Sequence, residues 1–270
     1  MATITTTNNK KYEIVPNSAI ETFDGHIVHK IRALRNIPKY RVRKYSYGGY
    51  IEDYKNLEQE GNCWVGGNAK VYGRSSVQDN AIVKGKAIVR DSFITNNAIV
   101  QDTAIIEDST ICSKAIIKDH AKIKYSSMIF DNAIIQDTAH LESCYITDNV
   151  IIKDDCSLVK CEINDNVIIR NDTNIEGVKI QGDAIINNNN DYVSISNFWT
   201  KDIYNIYNNS YSSIVYTKSN NKYCYGNNFI NLSESEVLEW LIENDKDNIE
   251  IKAFKEIFKF IKRMYKIGKL

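Results

Sequence analysis

A six-residue phrase recurs, with small changes, from residue 61 to residue 186 of this chain. Each copy has a turn residue (Gly, Asp or Asn), a polar residue, a small residue, a variable residue, a β-branched residue and a second polar residue; typical copies read DNAIVK, NNAIVQ, DTAIIE and DNAIIQ. The small and branched residues lie two positions apart, so both side chains point to the same side of a short strand. Repetition at a fixed period constrains the fold before any other feature of a sequence.

Every third copy is usually one residue short, so that three copies form one coil of 17 or 18 residues. The coils begin at Gly61, Asp79, Asn96, Ser113, Asp131, Asp148 and Asp165, and an eighth opens at Gly182. This arrangement predicts a mainly β fold, a three-sided parallel β-helix of about seven coils. The hexapeptide spacing resembles that of left-handed parallel β-helices, and the left hand is implied by that resemblance alone.

Stacking the coils places equivalent residues in columns, and this register can be checked on the sequence. The six inward columns contain small and apolar residues and no charged residue. The branched column of the first face is representative: Val65, Val83, Val100, Ile117, Ile135, Ile152, Ile169 and Ile186. A wrong register would scatter lysine and aspartate among these positions.

The fourth position of each first-face copy points away from the core and is apolar in every coil. It is Trp64 in the first coil and isoleucine in the others: Ile82, Ile99, Ile116, Ile134, Ile151, Ile168 and Ile185. Burying one isoleucine contributes about 1.5–3 kcal/mol, and a continuous apolar patch is typical of an interface. Two coverings remain open: the predicted C-terminal helix, whose length matches seven stacked coils, and a second subunit, which would make a homo-oligomer.

The residues outside the repeat predict three domains. Residues 1–60 are an N-terminal cap, residues 61–186 are the β-helix, and residues 187–270 form a C-terminal region of short strands and two helices. A bare end of a β-helix exposes unpaired strand edges, so terminal segments must cover it.

Within these end regions the sequence predicts individual elements. Strands are expected at 11–15 and 26–34, and residues 47–61 are interpreted as turns that lead into the first coil. The first C-terminal helix begins at Ser233, since Glu236 three residues later completes a capping box. The second helix is expected at 249–267.

Composition excludes several classes of function. Acidic and basic residues balance, with 34 of each, so nothing demands nucleic acid or an acidic partner. No stretch is apolar enough to span a membrane, and the start of the chain lacks the core of a signal peptide, so we expect a cytoplasmic protein with no membrane partner. Cys144 and Cys161 fall on adjacent coils, close enough for a bridge, but reduced cysteines are expected in that compartment.

The repeat contains two histidines, His120 and His140, and both are weak candidates for a catalytic base. His120 occupies the second place of a turn and His140 points outward from a strand, so ordinary surface histidines are favoured. Coil lengths vary by one residue only, so no loop is extruded to form a substrate pocket.

A column of aspartates stacks at one corner of the predicted β-helix. Its members are Asp102, Asp119, Asp137 and Asp154. Stacked carboxylates can hold cations, but aspartate also forms turns and tolerates the left-handed conformation. The turn role is favoured, and no metal site is expected.

The segment at 30–44 carries seven basic residues and no acid. Its candidate phosphate or nucleic-acid contacts are Lys30, Arg32, Arg35, Arg41, Arg43 and Lys44. Tyr40 lies within the segment, and Tyr45, Tyr47 and Tyr50 follow it, a combination that could grip phosphates and bases. A solvated cap surface is the favoured interpretation, and nucleic-acid binding is the alternative.

Residues 31–73 include the stretch GGYIEDYKNLEQEGNCWV. This segment resembles the start of the YdcK-like hexapeptide-repeat proteins of bacteria and their phages. The region that begins with NFWTKD at residue 197 is similar to a tail found on related phage-borne proteins. The resemblance implies a parallel β-helix and, by analogy of fold, a transferase; it implies no particular catalytic residue.

These observations favour a non-enzymatic binding or scaffold protein whose flat faces engage a protein partner. The phage-type resemblance implies a host-interaction or anti-defence role. The first alternative is a hexapeptide-repeat acyltransferase, for which acyl-CoA would be the cofactor; otherwise no cofactor is expected. Nucleic-acid binding through residues 30–44 is the second alternative.

Overall fold

The computed structural model describes residues 10–182, 184–186, 192–195, 214–217, 222–225, 229–243 and 248–266. The chain divides into two compact units, residues 1–143 and 144–270, and each is described by itself. The predicted fold class is confirmed: the chain is mainly β and forms about eight turns of parallel solenoid, with helices near the C-terminus. The domain boundaries predicted at residues 60 and 186 stay predictions.

The first unit begins with a cap of short strands and two 3-10 helices. The strands are Tyr12–Ile14, Ile20–Glu21, Ile27–Ala33 and Tyr47–Ile51, and the 3-10 helices are Pro38–Tyr40 and Tyr54–Asn56. The long central strand pairs antiparallel with the other three. The last strand, Tyr47–Ile51, also pairs with a strand of the first coil, in parallel, and Tyr50 is the register partner of Lys70.

The expectation of turns throughout residues 47–61 is wrong for its first part, because Tyr47–Ile51 is a strand. Gly48 and Gly49 are buried, and a Cβ atom on either would lie 2.5–2.6 Å from atoms of the first coil. The glycines allow two backbones to approach each other rather than allowing a turn. The sequence alone does not distinguish these two uses of glycine.

Three parallel sheets form the coils of the first unit. The first face contains Trp64–Val65, Ile82–Val83, Ile99–Val100, Ile116–Ile117 and Ile134–Ile135. The second face contains Lys70–Tyr72, Ile88–Arg90, Ile105–Glu107, Lys122–Lys124 and His140–Glu142. The third face contains Ser76–Val77, Phe93–Ile94, Thr110–Ile111 and Met128–Ile129.

The predicted register is confirmed in this unit. Ile99 pairs with Ile116, which pairs with Ile134. The inward residues of the three faces are fully buried, as Val100, Ile106 and Ile111 illustrate with no exposed surface. Alternation of inward and outward side chains along each short strand produces this core.

The corners of the coils explain the aspartate column. Asp102, Asp119 and Asp137 all have positive φ angles, near +60°. The carboxylate of Asp102 accepts the backbone N–H of Asp119 at 3.3 Å, and that of Asp119 accepts the N–H of Asp137 at 3.3 Å. Each aspartate therefore satisfies the turn of the next coil, and the predicted turn role is confirmed.

The second unit contains further parallel strands on each of three faces. They are Ile151–Ile152, Ile168–Ile169 and Ile185–Ile186 on the first face, Ser157–Val159 and Asn174–Glu176 on the second, and Tyr145–Ile146, Glu162–Ile163 and Lys179–Ile180 on the third. An antiparallel sheet of Tyr192–Ile195, Ile214–Thr217, Lys222–Tyr225 and Phe229–Leu232 follows.

Two helices complete the described part of the second unit, α1 (Glu234–Glu243) and α2 (Asn248–Lys266). The predicted capping box is confirmed, since Ser233 N–H donates to the Glu236 carboxylate at 2.6 Å and Glu236 N–H donates to Ser233 Oγ at 3.4 Å. Helix α2 packs against helix α1. Its buried stripe includes Phe254, Ile257 and Phe258.

Candidate functional site on the outer faces of the solenoid

The outward isoleucines of the first face form an ordered apolar column in each unit. In the first unit Ile99, Ile116 and Ile134 lie on adjacent paired strands, and each is half-buried. We call these three residues the first-unit column. Neighbouring strands are about 4.8 Å apart, so each isoleucine covers part of the next. In the second unit Ile151, Ile168 and Ile185 repeat this arrangement and are likewise half-buried.

Polar residues border the first-unit column on both sides. Two residues before each isoleucine the chain has Asn97, Lys114 and Asn132, and two residues after it the chain has Gln101, Lys118 and Gln136. An apolar centre with a polar rim is the usual composition of a protein–protein contact surface. The first-unit column is therefore regular, and with its polar rim it also has the composition of a contact surface.

The N-terminal cap covers the start of the same face. Trp64 is 3% exposed and Ile82 is 7% exposed. The backbone of Gly48 lies against the indole of Trp64, the hydroxyl of Tyr40 donates to the carbonyl oxygen of Asn80, and Lys39 Nζ donates to Asn97 Oδ1 at 2.6 Å. The sequence predicts that Ile82 is part of the exposed column, but its side chain is buried by contacts within the chain.

The third face carries larger exposed apolar side chains than the first. Phe93 is 49% exposed and Met128 is 44% exposed, with Thr110 between them in register. Tyr125, at the corner before Met128, is 56% exposed. The outward positions of this face are mixed in sequence, because the aromatic and methionine residues share no single type. The face is also interrupted by charge in the second unit, at Glu162 and Lys179.

The histidines of the repeat occupy different positions of their coils. His120 is exposed at a corner, and His140 lies on a strand with its Nε2 3.1 Å from Oε1 of Glu142. A general base must reach the acceptor group of a bound substrate within hydrogen-bond distance. Every strand pair of the coils within the described residues is offset by 17 or 18 residues, as the pairs Ile82–Ile99 and Ile116–Ile134 show, so the two histidines lie on regular coils.

A network of charged groups on the second face ties the cap to the coils, and sequence reasoning missed it. Arg90 pairs with Asp24 of the cap at 2.8 Å and with Glu107 of the next coil at 3.5 Å, and Lys124 continues the series at 3.0 Å from Glu107. Burial acts to raise the pKa of Asp24, but hydrogen bonds from Thr22 and Arg90 lower it below its ordinary value. Arg90, Glu107 and Lys124 occupy equivalent positions of successive coils, and their charges alternate in sign. This alternation is a feature of the sequence from which the network could have been predicted.

A second ion pair in the cap joins His26 to Glu52. His26 Nδ1 lies 2.9 Å from Glu52 Oε1, and the other carboxylate oxygen accepts the N–H of Gly73 at 2.7 Å. The hydrogen bond with Glu52 raises the pKa of His26. Burial acts to raise the pKa of Glu52, but the bonds from His26 and Gly73 lower it. The pair fastens the cap to the first coil.

A buried amine closes the core at the first coil. Lys11 has no exposed surface, and its Nζ donates to the carbonyl oxygen of Glu60 at 2.8 Å and to Cys63 Sγ at 3.0 Å. Burial lowers the pKa of Lys11 and raises that of Cys63. Buried thiols of raised pKa are unreactive, so this pair has a structural role.

The remaining described cysteines lie in or beside the core. Four of them, Cys112, Cys144, Cys156 and Cys161, are free thiols. Cys144 and Cys161 occupy equivalent inward positions of adjacent coils, and a hydrogen bond from Cys144 lowers the pKa of Cys161. Within the described ranges, no group of three or more His, Cys, Asp or Glu side chains is arranged to hold a metal ion.

The basic segment at 30–44 divides into engaged and exposed cations. Lys30 Nζ lies 4.3 Å from the ring centre of Tyr50 and donates to Gly67 O at 3.2 Å. Arg32 forms an ion pair with Glu13, and Arg35 donates to Gly61 O at 3.1 Å. The other three candidates, Arg41, Arg43 and Lys44, are exposed.

Comparison with protein-family models gives no match for this chain, and comparison with curated proteins gives none. The helices in the described part of the chain are too short or too polar to cross a bilayer. The parallel solenoid is compatible both with a binding role and with a transferase role. The two roles can therefore be distinguished by the residues of the site and not by the fold.

Proposed function

We propose that this chain is a non-enzymatic binding protein that presents the first face of its solenoid to a protein partner. The observation that supports this most directly is the first-unit column, Ile99, Ile116 and Ile134, in register and half-exposed with a polar rim. Flat repeated surfaces of solenoids are a common means of engaging protein partners.

The first face is favoured over the third because it is uniform. The outward position of the first-face strands is isoleucine in every described coil from Ile82 onward, whereas the outward positions of the third face mix apolar side chains with Thr110, Glu162 and Lys179. A partner that covers Ile99, Ile116 and Ile134 can use the same contact in each coil. Each isoleucine contributes up to about 1.5–3 kcal/mol on full burial.

The column also suits self-association, and the covering by the C-terminal helix stays a prediction. Helix α2 has a different neighbour in helix α1, which gives its buried stripe another place to pack. Measuring the mass in solution of the full chain and of a chain that ends at residue 247 distinguishes a second subunit from a helix cover. A monomer that stays soluble after truncation excludes the helix cover.

The resemblance of residues 31–73 to YdcK-like proteins of bacteria and phages supports a partner in a bacterial host. A component of a host defence system is the partner class that fits a phage-borne binding protein. This part of the proposal depends on the resemblance, and the contact surface is independent of it.

Calorimetric titration with acetyl-CoA tests the binding role against the acyltransferase alternative. We expect no stoichiometric binding, because the described strand pairs of the coils keep an offset of 17 or 18 residues and extrude no loop that could form a cleft for the cofactor. Capture from the native host with wild type, Ile116→Lys and the second-face control Lys122→Gln is the companion experiment. In the capture experiment we expect Ile116→Lys alone to lose the partner. In the calorimetric titration, stoichiometric binding of acetyl-CoA would overturn the proposal.

A further inference from the structure

The most exposed tyrosines of the cap lie beside its exposed cations. Tyr45 is 60% exposed and Tyr47 is 62% exposed. Lys44 Nζ lies 4.9 Å from the ring centre of Tyr45. Arg41 and Arg43, on the same loop, are exposed and form no ion pair with any residue in the described part of the chain.

Tyr47 lies on a strand of the cap beside Arg32. Tyr47 and Arg32 are register partners on neighbouring strands, so their side chains share one face of the sheet. The ion pair with Glu13 raises the pKa of Arg32, and the nearby phenols of Tyr47 and Tyr45 add to this effect. Tyr47 therefore lies beside Arg32 on the sheet, and Tyr45 follows the exposed loop two residues before it.

Backbone hydrogen bonds hold the loop in one conformation. Arg41 and Tyr45 have positive φ angles, 55° and 72°, a conformation that residues other than glycine adopt only where the surrounding structure holds it. Arg41 N–H donates to Pro38 O at 3.0 Å, and Tyr45 N–H donates to Ala33 O at 2.7 Å. Lys44 N–H donates to Asn36 Oδ1 at 2.8 Å. The loop is preorganised, so binding a ligand there orders little additional chain.

We infer that this loop, with Arg41, Arg43, Lys44, Tyr45 and Tyr47, is a binding site for single-stranded nucleic acid. The exposed cations suit the phosphates and the exposed rings suit unpaired bases, which stack on aromatic side chains without regard to sequence. A duplex keeps its bases stacked inside and would leave the tyrosines unused. The chain has 34 basic and 34 acidic residues, so binding through net charge alone is not expected and a local site is required.

Fluorescence anisotropy of the full chain with a labelled oligouridine of about 15 nucleotides tests this inference. The Arg41→Gln, Arg43→Gln, Lys44→Gln triple variant should bind at least tenfold more weakly than wild type. It should also lower the slope of log affinity against log salt by about 2, because each phosphate contact of a single strand contributes about 0.7. The control is the Lys84→Gln, Lys86→Gln, Lys122→Gln triple, which removes the same charge from exposed positions of the coils and should bind like wild type.

Substituting a tyrosine gives a second measurement, in which a change in affinity reports base stacking and not charge. Tyr47→Ser should weaken binding about tenfold by loss of base stacking while leaving the salt slope unchanged, and Tyr47→Phe should restore it. A hairpin duplex and polyglutamate should bind the wild-type chain more weakly than oligouridine. The inference is overturned if oligouridine does not bind, if both triple variants bind alike, or if polyglutamate binds as well as oligouridine, which would indicate an acidic protein ligand.

Discussion

Gly48 lies against the ring of Trp64, and a Cβ atom placed on Gly48 would be 2.6 Å from Trp64 Cζ2. This contact joins the last strand of the cap to the first coil, and it covers the outward side chain with which the first face begins. The cap therefore does more than close the end of the core. It also sets where the exposed part of the first face starts.

Gly48→Ala should destabilise the protein by about 1–3 kcal/mol, because the added methyl group overpacks the contact with Trp64. Gly66→Ala is the matched control beside the same ring, where the new Cβ atom would lie 3.4 Å from Trp64 Cδ1, an ordinary contact. Urea unfolding followed by circular dichroism measures both. Equal stability of the two variants would contradict the close approach at Gly48.

Asp119→Ala should destabilise the protein by about 2 kcal/mol, since alanine neither accepts the N–H of Asp137 nor tolerates the positive φ angle. Asp119→Asn should lie within about 0.5 kcal/mol of wild type, because asparagine does both. Thermal unfolding of the two variants, with and without calcium, is the measurement. If asparagine costs as much as alanine, and calcium stabilises only the wild type, the column binds cations.

The ion pair between Asp24 and Arg90 should show a coupling energy of about 1 kcal/mol in a double-mutant cycle of Asp24→Asn and Arg90→Gln. Both groups are partly buried, with side chains 17% and 30% exposed, so the pair is screened less than a surface pair. The coupling should fall as ionic strength approaches about 1 M.

The exposed pair of Lys259 and Glu256 on helix α2 is the control for that cycle. These side chains are 71% and 66% exposed, and their coupling should be near zero at any ionic strength. Coupling at Asp24 and Arg90 no larger than this control would show that the network on the second face does not fasten the cap.

The pair of His26 and Glu52 makes stability depend on pH. The pKa of His26 is raised above its ordinary value of 6.5, so the folded state binds this proton more tightly, and the stabilisation is complete below 6.5 and lost as pH rises through the raised pKa. The pKa of Glu52 is lowered below 4.5, so its contribution is present above 4.5 and lost as pH falls through the lowered pKa. The pair contributes most between these two ordinary values.

An NMR titration of the histidine ring protons measures the pKa of His26 directly. Glu52→Gln should return that pKa toward 6.5 and remove the part of the stability that is lost on raising the pH above it. The signal of His26 is assigned with His26→Gln. An unchanged pKa in Glu52→Gln would mean that the pair does not form in solution.

The periodic part of the structure could be predicted residue by residue. The alternation at Ala98, Ile99 and Val100 recurs one coil later, and a local pattern of this kind fixes both the strand and its register. The register, the inward columns and the turn role of Asp119 therefore follow from sequence.

The cap contacts could not be predicted in the same way. The contacts of Gly48 with Trp64 and of Asp24 with Arg90 join residues that share no period, so the sequence has no repeated signal for them. Because these cap contacts have no repeated signal, the periodic pattern predicts an exposed Ile82, whereas the side chain is buried. The exposed third-face residues Phe93 and Met128 differ in type, so the sequence has no repeat there that would indicate an interface.

Site-specific photo-crosslinking tests the central claim most directly. The photoreactive residue p-benzoylphenylalanine replaces Ile116 on the first face, Lys122 on the second and Met128 on the third, each in the full chain expressed in the native host. A partner bound through the first-unit column should give one abundant adduct of a different protein from position 116 and little from 122 or 128. Adducts of equal yield from all three faces, or none from position 116, would contradict the proposal that the isoleucine face binds a protein.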